Sequence, residues 1–163
     1  MSKKRKLISI IGGADCSENE YKIAEEVGYL LGRRDVVIVC GGRGGVMEAA
    51  CRGAQRAGGI TIGILPGQDA SAGNPYLDIV IPTGIGHNRN MLVAQAAEVV
   101  IAIGGGYGTL SEIGIALKTG RIVIGIDTWE AVDKFGKRIK ILPARDAQSA
   151  VELALENLSI QVE

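Results

Sequence analysis

The sequence predicts an α/β fold, a Rossmann-like doubly wound parallel sheet of six or seven strands with helices on both faces. Three observations carry that expectation. Short runs of Ile, Val, Leu and Ala recur along the chain without polar alternation, several of them end in a glycine turn, and the segments between them have helical spacing. Unalternating apolar strands are buried on both faces, as parallel strands are, and right-handed crossovers then lay helices on either side. With 163 residues and no linker or internal repeat, the whole of 1–163 reads as one nucleotide- or phosphate-binding domain.

The elements follow in order. Residues 7–11, Leu-Ile-Ser-Ile-Ile, form the first strand, ended by Gly12-Gly13; a helix over 18–31 starts behind the capping-box pair Ser17 and Glu20. Residues 36–40 repeat the plan, with Gly41-Gly42-Arg43-Gly44-Gly45 as the turn and a helix over 46–56. A third strand, 61–65, runs into Pro66-Gly67 and a polar loop through Tyr76, read as a lid over the site. Residues 79–81 make a short fourth strand, and 86–90 open a helix that continues through Ala97. The fifth strand begins at Val99, a sixth spans 122–126, a basic irregular patch lies around 134–140, and Asp146 starts a terminal helix with Val151, Leu153, Ala154 and Leu158 inward.

The most informative stretch is 99–112, where five apolar residues stop at Gly104-Gly105-Gly106 and a helix begins at once. Thr109 is expected to cap that helix, with Glu112 at the reciprocal capping-box position. A helix N-terminus preceded by bare glycine backbone gathers unpaired N–H groups and the positive end of the helix dipole, which suits a phosphate. In a doubly wound sheet ligands bind outside the carboxyl ends of the strands, where strand order reverses. The loops at 12–13, 41–45, 84–89 and 104–112 all fall there, so they are expected to converge on one crevice.

Composition narrows the function. Eighteen basic residues balance eighteen acidic ones, so no global field draws the chain to nucleic acid or to a membrane surface. No apolar run approaches membrane-spanning length, and the basic run Lys3-Lys4-Arg5-Lys6 reads as a solvated tail. Cys16, Cys40 and Cys51 are odd in number and lack paired spacing, which argues against disulfides and zinc and for a reducing cytoplasm; Cys40 and Cys51 read as small buried hydrophobes. No metal site is expected. His87, the single histidine, reads as a hydrogen-bonding loop residue. The first turn lacks G-x-G-x-x-G spacing and the second strand ends without the acidic residue that holds a ribose, so NAD chemistry is excluded; no glycine loop carries the Lys-Ser/Thr pair of a nucleotide triphosphatase.

Gly104-Gly105-Gly106-Tyr107-Gly108-Thr109-Leu110-Ser111-Glu112 resembles the P-G-G-x-G-T-x-x-E motif of the LONELY GUY (LOG) phosphoribohydrolases, formerly labelled possible lysine decarboxylases, with Gly104 in place of the proline. His87-Asn88-Arg89-Asn90 is similar to their H-E-R-K segment, with Asn88 and Asn90 replacing the acidic residue and the lysine. Across nearly the whole chain, through residues 41–50 and Gly63-Ile64-Leu65-Pro66-Gly67, the sequence looks closer to a branch of small bacterial proteins resembling molybdenum cofactor carriers.

That resemblance implies a phosphate- or nucleotide-binding set of Gly12, Gly13, Gly41, Gly42, Gly44, Gly45, Met47, Glu48, Arg89, Asn90, Gly104, Gly105, Gly106, Tyr107, Gly108 and Thr109. Two activities stand beside each other. One is a carrier or binding module for a phosphorylated small molecule, an AMP-like nucleotide or a molybdopterin cofactor, with no required cofactor of its own. The other is hydrolysis of a nucleoside 5′-monophosphate to free base and ribose 5-phosphate, with Arg89 and Glu112 as the catalytic pair. A pyridoxal-dependent decarboxylase is excluded, because no lysine is singled out for a Schiff base. Apolar residues around the helices at 88–97 and 110–118 exceed one core stripe, which together with the resemblance predicts a homodimer, or a tetramer of two, packed through helices.

Overall fold

The computed structural model describes residues 4–160, with side chains through Leu158. Seven strands form one parallel sheet in the order β4-β3-β2-β1-β5-β6-β7. They are β1 (Lys6–Gly12), β2 (Val36–Cys40), β3 (Ile60–Leu65), β4 (Ile79–Pro82), β5 (Val99–Ile103), β6 (Ile122–Ile126) and β7 (Ile141–Pro143). The helices are α1 (Glu18–Gly32), α2 (Val46–Arg56), α3 (Arg89–Ala96), α4 (Tyr107–Lys118) and α5 (Ala147–Ile160). The seventh strand lies beyond the basic patch, a segment too short and irregular to announce itself.

Alternate residues of each strand feed two cores. Ile8 and Ile10 of β1, and Ile101 and Ile103 of β5, face α1, α2 and α5. Ile11 of β1 and Val100 and Ala102 of β5 face α3 and α4, where Val93, Ile113 and Ala116 meet them. Ser9, on that second face, is fully buried and satisfies its hydroxyl by donating to the Val93 carbonyl at 2.7 Å. Burial on both faces is why the strands read as continuous apolar runs.

The capping box of α1 forms as expected: the Glu20 N–H donates to Ser17 Oγ at 3.1 Å, and the Ser17 N–H to Glu20 Oε2 at 2.7 Å. Helices α1 and α2 touch backbone to backbone. A Cβ on Gly28 would overlap the Ala50 carbonyl oxygen, and one on Gly53 the Glu25 carbonyl oxygen. Gly28→Ala is therefore expected to cost about 3 kcal/mol, because only a backbone shift can relieve the overlap. Gly114→Ala, on open helix surface, serves as the control and is expected to raise stability by about 1 kcal/mol. Urea denaturation of the two variants checks both.

Two expectations are corrected. The basic run is not a free tail, since Lys6 enters β1 and pairs with Glu98 at 3.3 Å, and Arg5 pairs with Asp35 at 3.0 Å; Lys4 is exposed and Lys3 lies outside the described residues. The loop after β3 is not a lid over the crevice. Its Asn74 donates to the Arg43 carbonyl at 3.1 Å and, through its backbone N–H, to the Gly42 carbonyl at 2.9 Å, so the loop braces the second glycine turn from outside. Cys40 and Cys51 are buried as expected, with sulfurs 3.6 Å apart.

Strand order reverses between β2 and β5, on either side of β1. The turns after β1, β2 and β5 and the start of α3 meet at that point.

Candidate functional site

At the switch point lies a hollow of about 290 Å³. Its floor is the first turn, Gly12 and Gly13; one wall is Gly41, Arg43 and Met47, another Arg89 and Asn90, and the last Gly106, Gly108, Thr109 and Glu112. All four glycine loops thus reach one crevice, from positions nearly a hundred residues apart.

Helix α4 is built differently from the expectation. It starts at Tyr107 with Gly106 as N-cap in extended backbone, and no side chain caps it. The Leu110 N–H is the one that reaches back to the Gly106 carbonyl, at 3.0 Å, which leaves the amides of Tyr107, Gly108 and Thr109 as the unpaired N–H groups of the first turn. Thr109 is therefore not the cap, and Glu112 is not its capping-box partner. Gly105, at φ +97, is held against Thr109, where a Cβ would overlap that side chain. Three glycines in a row let the turn close so tightly that the helix begins three residues early.

Glu112 instead turns inward. It is 6 % exposed, and its Oε1 lies 3.7 Å from Nη1 of Arg89, which is 7 % exposed. At that distance the two are an ion pair without a hydrogen bond. Arg89, the first residue of α3, gives Nη1 to the Asn90 side-chain oxygen at 2.8 Å, while its buried Nε–H has no hydrogen-bond partner. Burial weakens the charged form of both partners. It lowers the Arg89 pKa against the attraction of Glu112, with Arg43 adding repulsion, and it raises Glu112 to about 7 although Arg89 opposes the rise. The pair is a poor match for itself; an anion in the crevice would give Arg89 the partner it lacks.

The remaining expected residues fall outside this hollow. Gly42, at φ +74, sits against Leu65 and Gly63, where it allows β2 and β3 to turn together. Gly45, at φ +62, packs on the carbonyls of Gly13 and Ala14, and the Val46 N–H that opens α2 donates to the Gly13 carbonyl at 3.0 Å. Gly44 lies beside Ala14, and Glu48 accepts from the Tyr21 hydroxyl at 3.3 Å. Gly104 and Gly105 face a neighbouring hollow, and Tyr107 is 83 % exposed at the mouth. Sequence reading left out Ala14, Asp15 and Arg43, which line the crevice, and His87 joins them. Arg43 had a signal, a lone cation between two glycine pairs after a strand. Among the described residues no group of three or more His, Cys, Asp or Glu is placed to hold a metal ion, and no helix is long and apolar enough to cross a membrane.

Similarity to other proteins agrees with this architecture. A relative from Archaeoglobus fulgidus, described as an uncharacterized protein, is 44 % identical over 119 residues, 73 % of this chain and 78 % of the relative. The molybdenum cofactor binding protein of Rippkaea orientalis superposes with a TM-score of 0.85 at 32 % identity, covering 96 % of this chain and 99 % of that one. The molybdenum cofactor carrier protein of Chlamydomonas reinhardtii gives 0.84 at 32 % identity, over 95 % and 99 %. The model of the SLOG cluster4 family matches residues 5–153, and the chain belongs to that family.

Proposed function

We propose that the protein binds a phosphorylated small molecule as a carrier does, with the phosphate against the α4 N-terminus and Arg89. The observation that carries this is the buried Nε–H of Arg89, unpartnered in a residue that lines the same hollow as Gly106, Gly108 and Thr109 of the α4 N-terminus. A buried guanidinium with an open donor is costly unless an anion completes it, and charge-assisted bonds to a phosphate oxygen do so. Arg43 brings a second cation, which suits a dianionic monoester. Likeness to molybdenum cofactor carriers along almost the full chain supports a pterin phosphate as cargo, held by its phosphate arm. A thermal-shift series with inorganic phosphate, AMP and a pterin phosphate is expected to raise the melting temperature with concentration; no shift with any of them overturns the proposal.

One observation favours the hydrolase reading as a second. A buried carboxyl that titrates at about 7 beside an arginine is suited to moving a proton at neutral pH. In that reading Glu112 takes the proton of a water that attacks the anomeric carbon, the glycosidic C–N bond breaks, and the base leaves with its electron pair and picks up a proton. Incubation with nucleoside monophosphates and detection of free base decides between turnover and binding alone.

A homodimer forms part of the same proposal. Met91 and Leu92 of α3 are 47 % and 41 % exposed while Val93 and Ala94 beside them are buried, so this helix has an apolar face left uncovered among the described residues. A second copy is its proposed cover. Light scattering at micromolar concentration is expected to give twice 17.0 kDa, and a monomer there refutes it.

A further inference from the structure

The glycine turn after β5 has two sides. Gly106 faces the Arg89 crevice; Gly104 and Gly105 face a second hollow of about 330 Å³, which Asp127, Thr128, Trp129 and Glu130 share with a larger one of about 430 Å³ beneath the segment that joins β6 to β7. The wall of this second space is fastened to the turn. Thr128 Oγ1 donates to the Gly104 carbonyl at 2.7 Å, and Trp129 Nε1 to the Gly106 carbonyl at 3.0 Å. The Tyr107 ring lies 5.7 Å from the indole. An aromatic plate is thus pinned beside the phosphate loop, with no side chain on the glycines between them.

The two sides differ in charge: the Arg89 side mixes Arg43 and Arg89 with Asp15 and Glu112, whereas every charged side chain that lines the hollow on the Trp129 side, Glu20, Asp127 and Glu130, is acidic. Glu20 is used by the α1 cap and Glu130 by Arg138, at 2.9 Å. The Asp127 carboxylate has no hydrogen bond or ion pair among the described residues, and Asp127 is the one described non-glycine residue with positive φ, at +46.

We infer that this Trp129-walled hollow is a second subsite of the phosphate crevice, which takes a flat heterocycle presenting two adjacent N–H donors to the Asp127 carboxylate. The inference rests on the proposed phosphate site and adds the chemical class of the other end of its ligand. Indole supplies a stacking face for any planar ring. A carboxylate accepts two parallel N–H bonds, and the 2-amino-4-oxo-pyrimidine edge offers them. Guanine and pterins share that edge; adenine has a donor beside an acceptor and does not fit.

The test uses GMP, AMP, 6-hydroxymethylpterin phosphate and inorganic phosphate on the whole protein. Trp129 is the single tryptophan, so GMP binding is read from its fluorescence as well as by calorimetry. GMP and the pterin phosphate are expected to bind at least about 10-fold more tightly than AMP, and GMP is expected to change the Trp129 emission. Which of the two binds more tightly identifies the source of the shared edge. Asp127→Asn is expected to bring both down to the affinity of AMP while inorganic phosphate binds as before; asparagine tolerates positive φ, so the variant keeps the loop. Equal affinities for GMP, AMP and the pterin phosphate, an unmoved fluorescence, or an Asp127→Asn variant that binds GMP as the parent does overturns the subsite and leaves the phosphate site standing. Failure of inorganic phosphate and all three esters to bind overturns both.

Discussion

Arg89→Ala is expected to weaken the binding of AMP and of inorganic phosphate by about 100-fold or more. The guanidinium is buried with an unpartnered Nε–H, so its bonds to a bound anion form in a poorly solvated place, where truncating one partner of a charge pair costs roughly 2–5 kcal/mol. About 2.8 kcal/mol is a factor of 100 in affinity. Arg89→Lys is expected to rescue little, because an ammonium is a point charge without the planar fork that places Nε–H and Nη–H on one side. Calorimetric titration reads both variants. An Arg89→Ala protein that binds within a factor of three of the parent means that the α4 amides and Arg43 suffice, and the arginine has another task.

The second large effect is on Glu112 and pH. Burial lifts its carboxyl to about 7 from an ordinary 4.5, with Arg89 pulling the other way. Between those two values the native protein holds a proton that the unfolded chain releases, so this group's contribution to stability is greatest below the unfolded value, falls as pH rises through the window, and levels above about 7. The whole fall is of order 3 kcal/mol. Glu112→Gln removes the charged form, and is expected to be more stable than the parent at pH 8 and to lose this slope. Urea denaturation at pH 5 and pH 8 measures it; identical slopes in parent and variant would show that Glu112 titrates normally. Anion affinity is expected to fall as pH rises through about 7, where the folded protein gains a carboxylate 3.7 Å from Arg89.

What was legible in the sequence was local chemistry. Ser17 and Glu20 form the expected box, α2 begins after its glycines, and the strands are where Ile and Val run unbroken. The start of α4 was misread because capping preference describes average turns, whereas three consecutive glycines allow a backbone that needs no side-chain cap and places Thr109 inside the first turn, 3 % exposed. That misreading hid the meaning of Glu112, whose partner lies 23 positions earlier on a different helix. Resemblance named the pair, but only the return of α3 and α4 to the same face of the sheet brings the two together. Trp129 and Asp127 carry no motif at all; their place beside the glycine turn at 104–106 follows from the register of β6 on β5 and two side-chain bonds to glycine carbonyls.

The pairing of β1 with β5 has a consequence for how the molecule comes into being. Strand β1 meets β2 within the first forty residues, but its other edge waits for Val99–Ile103. During synthesis the first four strands can associate while the central one still presents a bare row of amides and carbonyls, and the loop to be closed is the longest between neighbouring strands of the sheet. Docking of the second half onto that edge is expected to be the slow step of folding, and it is also the event that creates the crevice. A ligand bound as proposed would touch both halves and act as a clasp across this joint. On the proposed function the empty protein is then the one exposed to proteases through partial opening, and its lifetime in a cell would follow the supply of its ligand.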